Sequence, residues 1–264
     1  MTLLPVRWST LSPWALLTAP ALHTLLLLSD SALPLGSFAF SSGLESFLAH
    51  HRSPSSSASQ LPSFNRFLDL SLSTLASTAL PYVLTAYRNP SRIEDLDNDF
   101  DASTPCTVAR RASVAQGRAL LAVWDRSFKS HYAASSASAT ATQALKDFQL
   151  LLRTESGVSD LPPNAHLAPL WGLITQILQL PLRDAAYLFL FSHVRTVTSA
   201  GVRASVLGPY QAQAVLASRE LQERIRSLVE DAWEVKVEDA GQVVPVMDLW
   251  VGRHEKLYSR IFNS

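Results

Sequence analysis

The stretch LAPLWGLITQILQLPLRDAAYLFLFSHVRTV, residues 167–197, decides the fold class. It reads as two apolar helices split at Pro181, since proline removes a backbone donor and crowds the preceding turn. The second helix carries Ala185, Leu188, Phe189 and Ser192 on one face. Working outward, a long helix follows Gly208-Pro209, with Ala214, Leu221, Ile225, Leu228 and Ala232 on its stripe. Upstream, Val114, Gly117, Leu121, Trp124 and Phe128 define another stripe. Gly117 is unfavourable in a helix interior by about 1 kcal/mol relative to alanine, so its place on the apolar face predicts the close approach of another helix. Leu68, Leu72, Leu75, Ala79 and Tyr82 repeat the pattern, with a kink or an end expected at Pro81. Ser42 and Glu45 have capping-box spacing ahead of a helix over 43–51, which would bury Leu44, Phe47 and Leu48.

Strand patterns are scarce, with only 234–238 alternating and 243–246 briefly apolar. The fold class is therefore all-α, a single-domain bundle of about eight to ten helices over residues 29–246. A variable apolar leader, 1–28, precedes it and a tail, 247–264, follows. The Ser- and Pro-rich stretch 53–63 and the Ser/Ala/Thr-rich run 133–142 read as connections.

Composition narrows the function. The chain has 264 residues, 22 basic and 22 acidic, so the field that draws most proteins to nucleic acid is missing. Charged residues make up 17%, below the usual quarter, which points to apolar surface and to protein partners. Of the basic residues only four are lysine and 18 are arginine, whose planar fork suits interface ion pairs. One cysteine, Cys106, leaves no internal disulfide and no Cys-x-x-Cys site. Residues 8–29 are uncharged behind Arg7 and imitate a signal peptide, but Pro13 and Pro20 interrupt them and no clean cleavage site follows. The uncharged run 167–182 is broken by Pro169 and Pro181 and falls short of the roughly 20 apolar residues of a membrane span. A cytoplasmic protein is expected.

Enzyme signatures fail in turn. Phosphate-cradling glycine motifs and Gly-x-Ser-x-Gly are absent. His254-Glu255 begins a zinc motif, but Tyr258 stands where the second histidine belongs. Asp95, Asp97 and Asp99 alternate like half a calcium loop without its glycine or glutamate, and read as solvated acid at a helix start. A catalytic site would need dispersed groups such as His166, His193 and Glu45.

Four segments are unusual as plain core or loop: SDSALPLGSFAFSSGLES (29–46), ARRASVAQGRALL (109–121), SVLGPYQAQAVL (205–216) and MDLWVGRHEKLYSRIFNS (247–264). Together they resemble the urease accessory protein UreF family, over about 29–264. The opening Ser-Asp-Ser-Ala-Leu-Pro-Leu-Gly and the closing Arg-His-Glu-x-x-Tyr-Ser-Arg-x-Phe are the most specific parts. Departures are Ser37, where a second glycine is common after Gly36, and Phe40, where a histidine is common. The resemblance implies an all-helical homodimer that binds neither metal nor nucleotide itself. It implies that the chain bridges a UreD/UreH-type protein to the GTPase UreG, so that nickel enters apo-urease, with nickel and GTP handled by the partners.

On that resemblance, the UreD/UreH-type protein is expected at Arg253, His254, Glu255, Leu257, Tyr258, Ser259, Arg260 and Phe262. The dimer mate or the GTPase is expected at Arg110, Arg111, Ser113, Gln116, Gly117, Gly208, Pro209, Tyr210 and Gln213. Asp30, Ser31, Pro34, Gly36, Gly43 and Glu45 make up the amino-terminal motif. The tail carries an independent physical signal. Met247, Trp250, His254, Leu257 and Ile261 fall on one helical face, joined by Tyr258 and Phe262, with Arg253, Lys256 and Arg260 on another. Such a stripe must be buried somewhere, on a partner or on the chain's own body.

Overall fold

In a computed structural model of the chain, the described residues are 19–51, 60–132, 138–154 and 162–263. Most of the leader 1–28, most of the insert 53–63 and part of the connection 133–142 lie outside them. Among the described residues every regular element is helical. In chain order they are α1 (Ala19–Ser29), α2 (Leu44–His51), α3 (Leu61–Thr78), α4 (Leu80–Arg88), α5 (Ile93–Ser103) and α6 (Thr107–Val123). A π-turn at Trp124–Phe128 leads into α7 (Lys129–Tyr132), followed by α8 (Ala139–Thr154), α9 (Leu167–Ile177), α10 (Leu182–Arg203), α11 (Pro209–Ala217), α12 (Arg219–Ala232) and α13 (Val246–Arg253). The segments outnumber the eight to ten expected, because the break at Ser218 and the π-turn divide stretches that read as continuous, while the break at Ala79 is the end expected near Pro81.

The centre of the core is α9, which packs against α4, α5, α6, α8 and α10 and buries Leu170, Trp171, Leu173, Ile174 and Ile177. At Gly172 a Cβ would lie 2.1 Å from the Val83 carbonyl oxygen, so α4 and α9 cross backbone to backbone where only glycine fits. The split at Pro181 is as expected. The Leu180 N–H bonds to Thr175 O, and the Leu180 carbonyl accepts from the Tyr87 hydroxyl at 2.8 Å.

The break at Pro81 has a second use. With no N–H on Pro81, the Ser77 carbonyl has no donor four residues on, and it accepts instead from the Gly241 N–H at 3.2 Å. The linker from α12 to α13 is thereby stapled to α3. In the other late break, the Ser218 hydroxyl caps α12 by accepting from the Leu221 N–H. The break turns Ala214 out to solvent, and Ala212 is buried in its place.

Two further expectations change. Gly117 does sit at a close approach, with a would-be Cβ 2.0 Å from the Ala165 carbonyl oxygen. Its neighbour is the turn before α9 rather than a helix. The acidic patch forms α5, but Asp97 is completely buried. Its carboxylate accepts from the N–H groups of Asn164 (2.6 Å), Ala165 (3.1 Å) and His166 (2.6 Å), the amides at the start of α9. That charge at a helix amino terminus holds Ala165 at φ 70, a conformation a non-glycine residue adopts only when surroundings fix it.

One helical run, 61–88, is long and apolar enough by length and composition to cross a membrane. Its apolar residues Phe64, Phe67, Leu72, Leu80, Val83 and Leu84 are spent on the core, and the run is broken at Ala79.

Candidate functional site

The tail begins on α13. Met247 is buried, and Trp250 meets Phe47 of α2 edge-on at a centroid distance of 4.7 Å. Close packing is possible because Gly43 faces α13, where a Cβ would lie 3.1 Å from Val251 and the backbone has φ +88. The helix continues as one 3-10 turn, 254–256, and then ends. A single apolar helical face out to Phe262 is therefore not what forms. Leu257 turns extended, and the chain doubles back on His254 and Glu45.

Glu45 explains the departure. Its carboxylate accepts from the Ile261 N–H at 2.8 Å and the Phe262 N–H at 3.3 Å. In a continued helix those amides would bond to carbonyls four residues earlier, and a charge-assisted acceptor competes well with a neutral one. His254, completely buried, donates through Nε2 to the Phe262 carbonyl at 2.9 Å. Its Nδ1 has no hydrogen-bond partner and lies 3.7 Å from a Glu45 oxygen. The expected capping box is accordingly not made, because Glu45 is turned to the tail. Ser42 sits at φ 53, and the Ser41 hydroxyl accepts from the Glu45 N–H instead.

Three of the four unusual segments converge here. The Asn263 N–H donates to the Ala39 carbonyl at 2.7 Å, and Arg203 at the end of α10 lies 4.4 Å over the Phe262 ring while donating to the Phe38 carbonyl. From α6, Arg111 pairs with Glu255 at 2.8 Å, and Gln116 accepts from the Ser37 hydroxyl at 2.8 Å. In the amino-terminal motif, Asp30 accepts from the Ala32 N–H in a local turn, Gly36 takes φ 70, and Ser31 and Pro34 are exposed. The remaining segment, 205–216, stands apart. Gln211 accepts from the Gly208 N–H ahead of Pro209, Gln213 is exposed, and Tyr210 is 91% exposed.

The clamp divides the tail. Met247, His254 and Phe262 face inward. Tyr258 is fully exposed, Ile261 is 62% exposed, and Arg253, Lys256, Ser259 and Arg260 face solvent, with Leu257 between the two sets. Phe38 joins the outer set at 69% exposure. Arg203 had no local signal in the sequence, because its role depends on residues brought together only by folding.

The α6 residues split similarly. Arg111 reaches outward, whereas Arg110 pairs with Asp101 at 3.2 Å and Gly117 is filled by the turn before α9. The Ser113 hydroxyl accepts from the Leu167 N–H and bonds to Nδ1 of His166, whose Nε2 donates to Asp101 at 3.0 Å. This order of Ser, His and Asp has the look of a catalytic line, but its imidazole is completely buried and its hydrogen bonds hold the start of α9. The three dispersed candidates fall into different groups: His166 here, Glu45 on the tail, and His193 on Ser71 at 2.6 Å. His193 lines a cavity of about 360 Å³ between α3, α6, α10 and α13, and burial pushes its pKa down to about 4. Among the described residues no group of three or more His, Cys, Asp or Glu is placed to hold a metal ion.

Residues 61–220 match the family model described as UreF. The chain is 36% identical to an uncharacterized urease accessory protein UreF-like of Schizosaccharomyces pombe, over 92% of this chain and 97% of the relative. It is 28% identical to urease accessory protein 6 of Cryptococcus neoformans, over 94% and 98% of the two chains. With urease accessory protein F of Arabidopsis thaliana it shares 29% identity over 90% of each. The family model stops short of both end segments, while these alignments extend past it.

Proposed function

Because the chain belongs to the UreF family of urease accessory proteins, we propose that it bridges a UreD/UreH-type protein to the GTPase UreG in urease maturation. Its role is that of a maturation factor, not a catalyst, in keeping with the names its relatives carry. Nickel is the cargo of the assembly and apo-urease its recipient. GTP is bound and hydrolysed by the partner, and the chain works as a cytoplasmic homodimer.

The observation that carries this reading is the tail. Its inner half is clamped to the body by Glu45 and His254, and its outer half presents Tyr258, Ile261 and Arg260 to solvent. Aromatic and arginine residues are the side chains that most often anchor interfaces, and a clamp removes much of the ordering cost of binding. The UreD/UreH-type protein docks on this outer half, while the exposed ring of Tyr210 and its neighbour Gln213 serve the dimer mate or UreG.

Co-purification tests it. The full chain is expected to retain the UreD/UreH-type protein and UreG and to support urease activation. Removal of the residues from Arg253 onward is expected to abolish capture of the UreD/UreH-type protein. Unchanged capture and activation by the truncated chain would refute the reading.

A further inference from the structure

We propose that the tail does not act alone: Phe38 of the loop before α2 joins Tyr258 and Ile261 in one docking face, whose partner surface is an apolar pocket rimmed by carboxylates. The inference rests on the reading that the tail is a partner surface, and it adds a second segment and a charge to that surface.

Continuity comes first. The loop and the tail are tied at three points: the Asn263 N–H on the Ala39 carbonyl, Arg203 bonded to the Phe38 carbonyl while stacked on Phe262, and Glu45 holding the Ile261 and Phe262 amides. Phe38 and Ile261 are therefore carried on backbones fixed to one another, although they are far apart in sequence. Phe38, Tyr258 and Ile261 are all more than half exposed, in a molecule that buries most of its other aromatic rings.

Charge identifies the occupant. Among the described residues, the two carboxylates tied to the tail are engaged, Glu45 with the tail amides and Glu255 with Arg111. Arg253, Lys256 and Arg260 are exposed, and no carboxylate of the described residues lies within ion-pair distance of them. The segment 253–260 thus carries three exposed cations with no ion-pair partner among the described residues, beside Tyr258 and Ile261 in the chain. A partner with carboxylates around an apolar pocket meets both features, and opposite charge of this kind acts mainly on the rate of encounter.

The test measures binding of the full-length chain to the UreD/UreH-type protein, with thermal melting of each variant as a folding control. Phe38→Ala and Tyr258→Ala are each expected to raise Kd by more than about tenfold. Arg260→Glu is expected to slow association several-fold and to flatten its salt dependence, since the lost attraction is the screened one. These three side chains are exposed, so their replacement leaves the fold in place. If truncation from Arg253 abolishes binding while Phe38→Ala and Arg260→Glu leave it unchanged, the composite face is wrong and the tail reading stands. Tighter binding by Arg260→Glu would equally overturn the acidic partner. If truncation leaves binding intact, the tail reading itself fails and this inference falls with it. If Phe38→Ala or Tyr258→Ala instead converts a dimer to a monomer in solution, the face belongs to a second copy and the proposal is overturned.

Discussion

Asp97 and Glu45 perform the same chemistry in opposite settings. Each carboxylate accepts from successive backbone amides of a distant segment, three at the start of α9 for Asp97 and two at the chain end for Glu45. Asp97 is sealed in the core, and the turn it holds fills the space beside Gly117. Glu45 sits at the rim, and the segment it holds keeps one face inward and one face in solvent. The inner carboxylate secures the packing, whereas the outer one shapes a surface. A buried polar contact is read by what lies on its far side, which is protein in one case and water in the other.

The comparison breaks most readily at Asp97. Asp97→Ala would strand three amides, and the loss is expected to reach about 3–5 kcal/mol in urea denaturation. A loss below about 1 kcal/mol would mean that the inner carboxylate is dispensable. Gly117→Ala acts on the same turn through volume, since its methyl would overlap a backbone oxygen, and is expected to cost about 2–3 kcal/mol in the same measurement.

Acid titration probes the interior without mutation. The depressed pKa of His193 means that the unfolded chain binds its proton first as the pH falls. Stability contributed by the neutral ring is therefore complete above about pH 6.5 and is lost as the pH drops towards about 4, by at most about 3 kcal/mol. His193→Gln is expected to flatten that limb of the stability curve, and an unchanged slope would assign it to other groups. The smallest global effect belongs to Glu45→Gln, expected below about 1 kcal/mol because the segment it holds lies at the surface. Amide exchange at Ile261 and Phe262 is expected to quicken about tenfold or more in that variant. A global loss as large as that of Asp97→Ala would erase the distinction between the two carboxylates.

Legibility in the sequence follows the range of the interaction. The helices of 167–197, the split at Pro181 and the buried trio Leu44, Phe47 and Leu48 were readable, because periodicity and proline act within a few residues. The break at Ser218 was hidden, since the cap interrupts the backbone while apolar spacing continues across it. Gly117 announced a close approach but not its partner. Glu45 misleads for the same reason: spacing alone assigns it a local capping role, and its partners lie at Ile261 and Phe262, far along the chain. The exposure of Tyr258 and Arg260 is not fixed by the spacing, which sets Tyr258 beside the apolar stripe, and the inward turn of Phe262 and His254 likewise requires the fold.

Pro81 has a consequence that runs against ordinary helix engineering. Replacing it with alanine would restore an N–H facing the Ser77 carbonyl and join α3 to α4 more smoothly. That repair would evict Gly241 from the same oxygen and unmoor the linker that delivers α13 to Gly43. A local improvement in helicity would then be an injury at a distance. The imperfection in one helix is the fixture by which another segment finds its place.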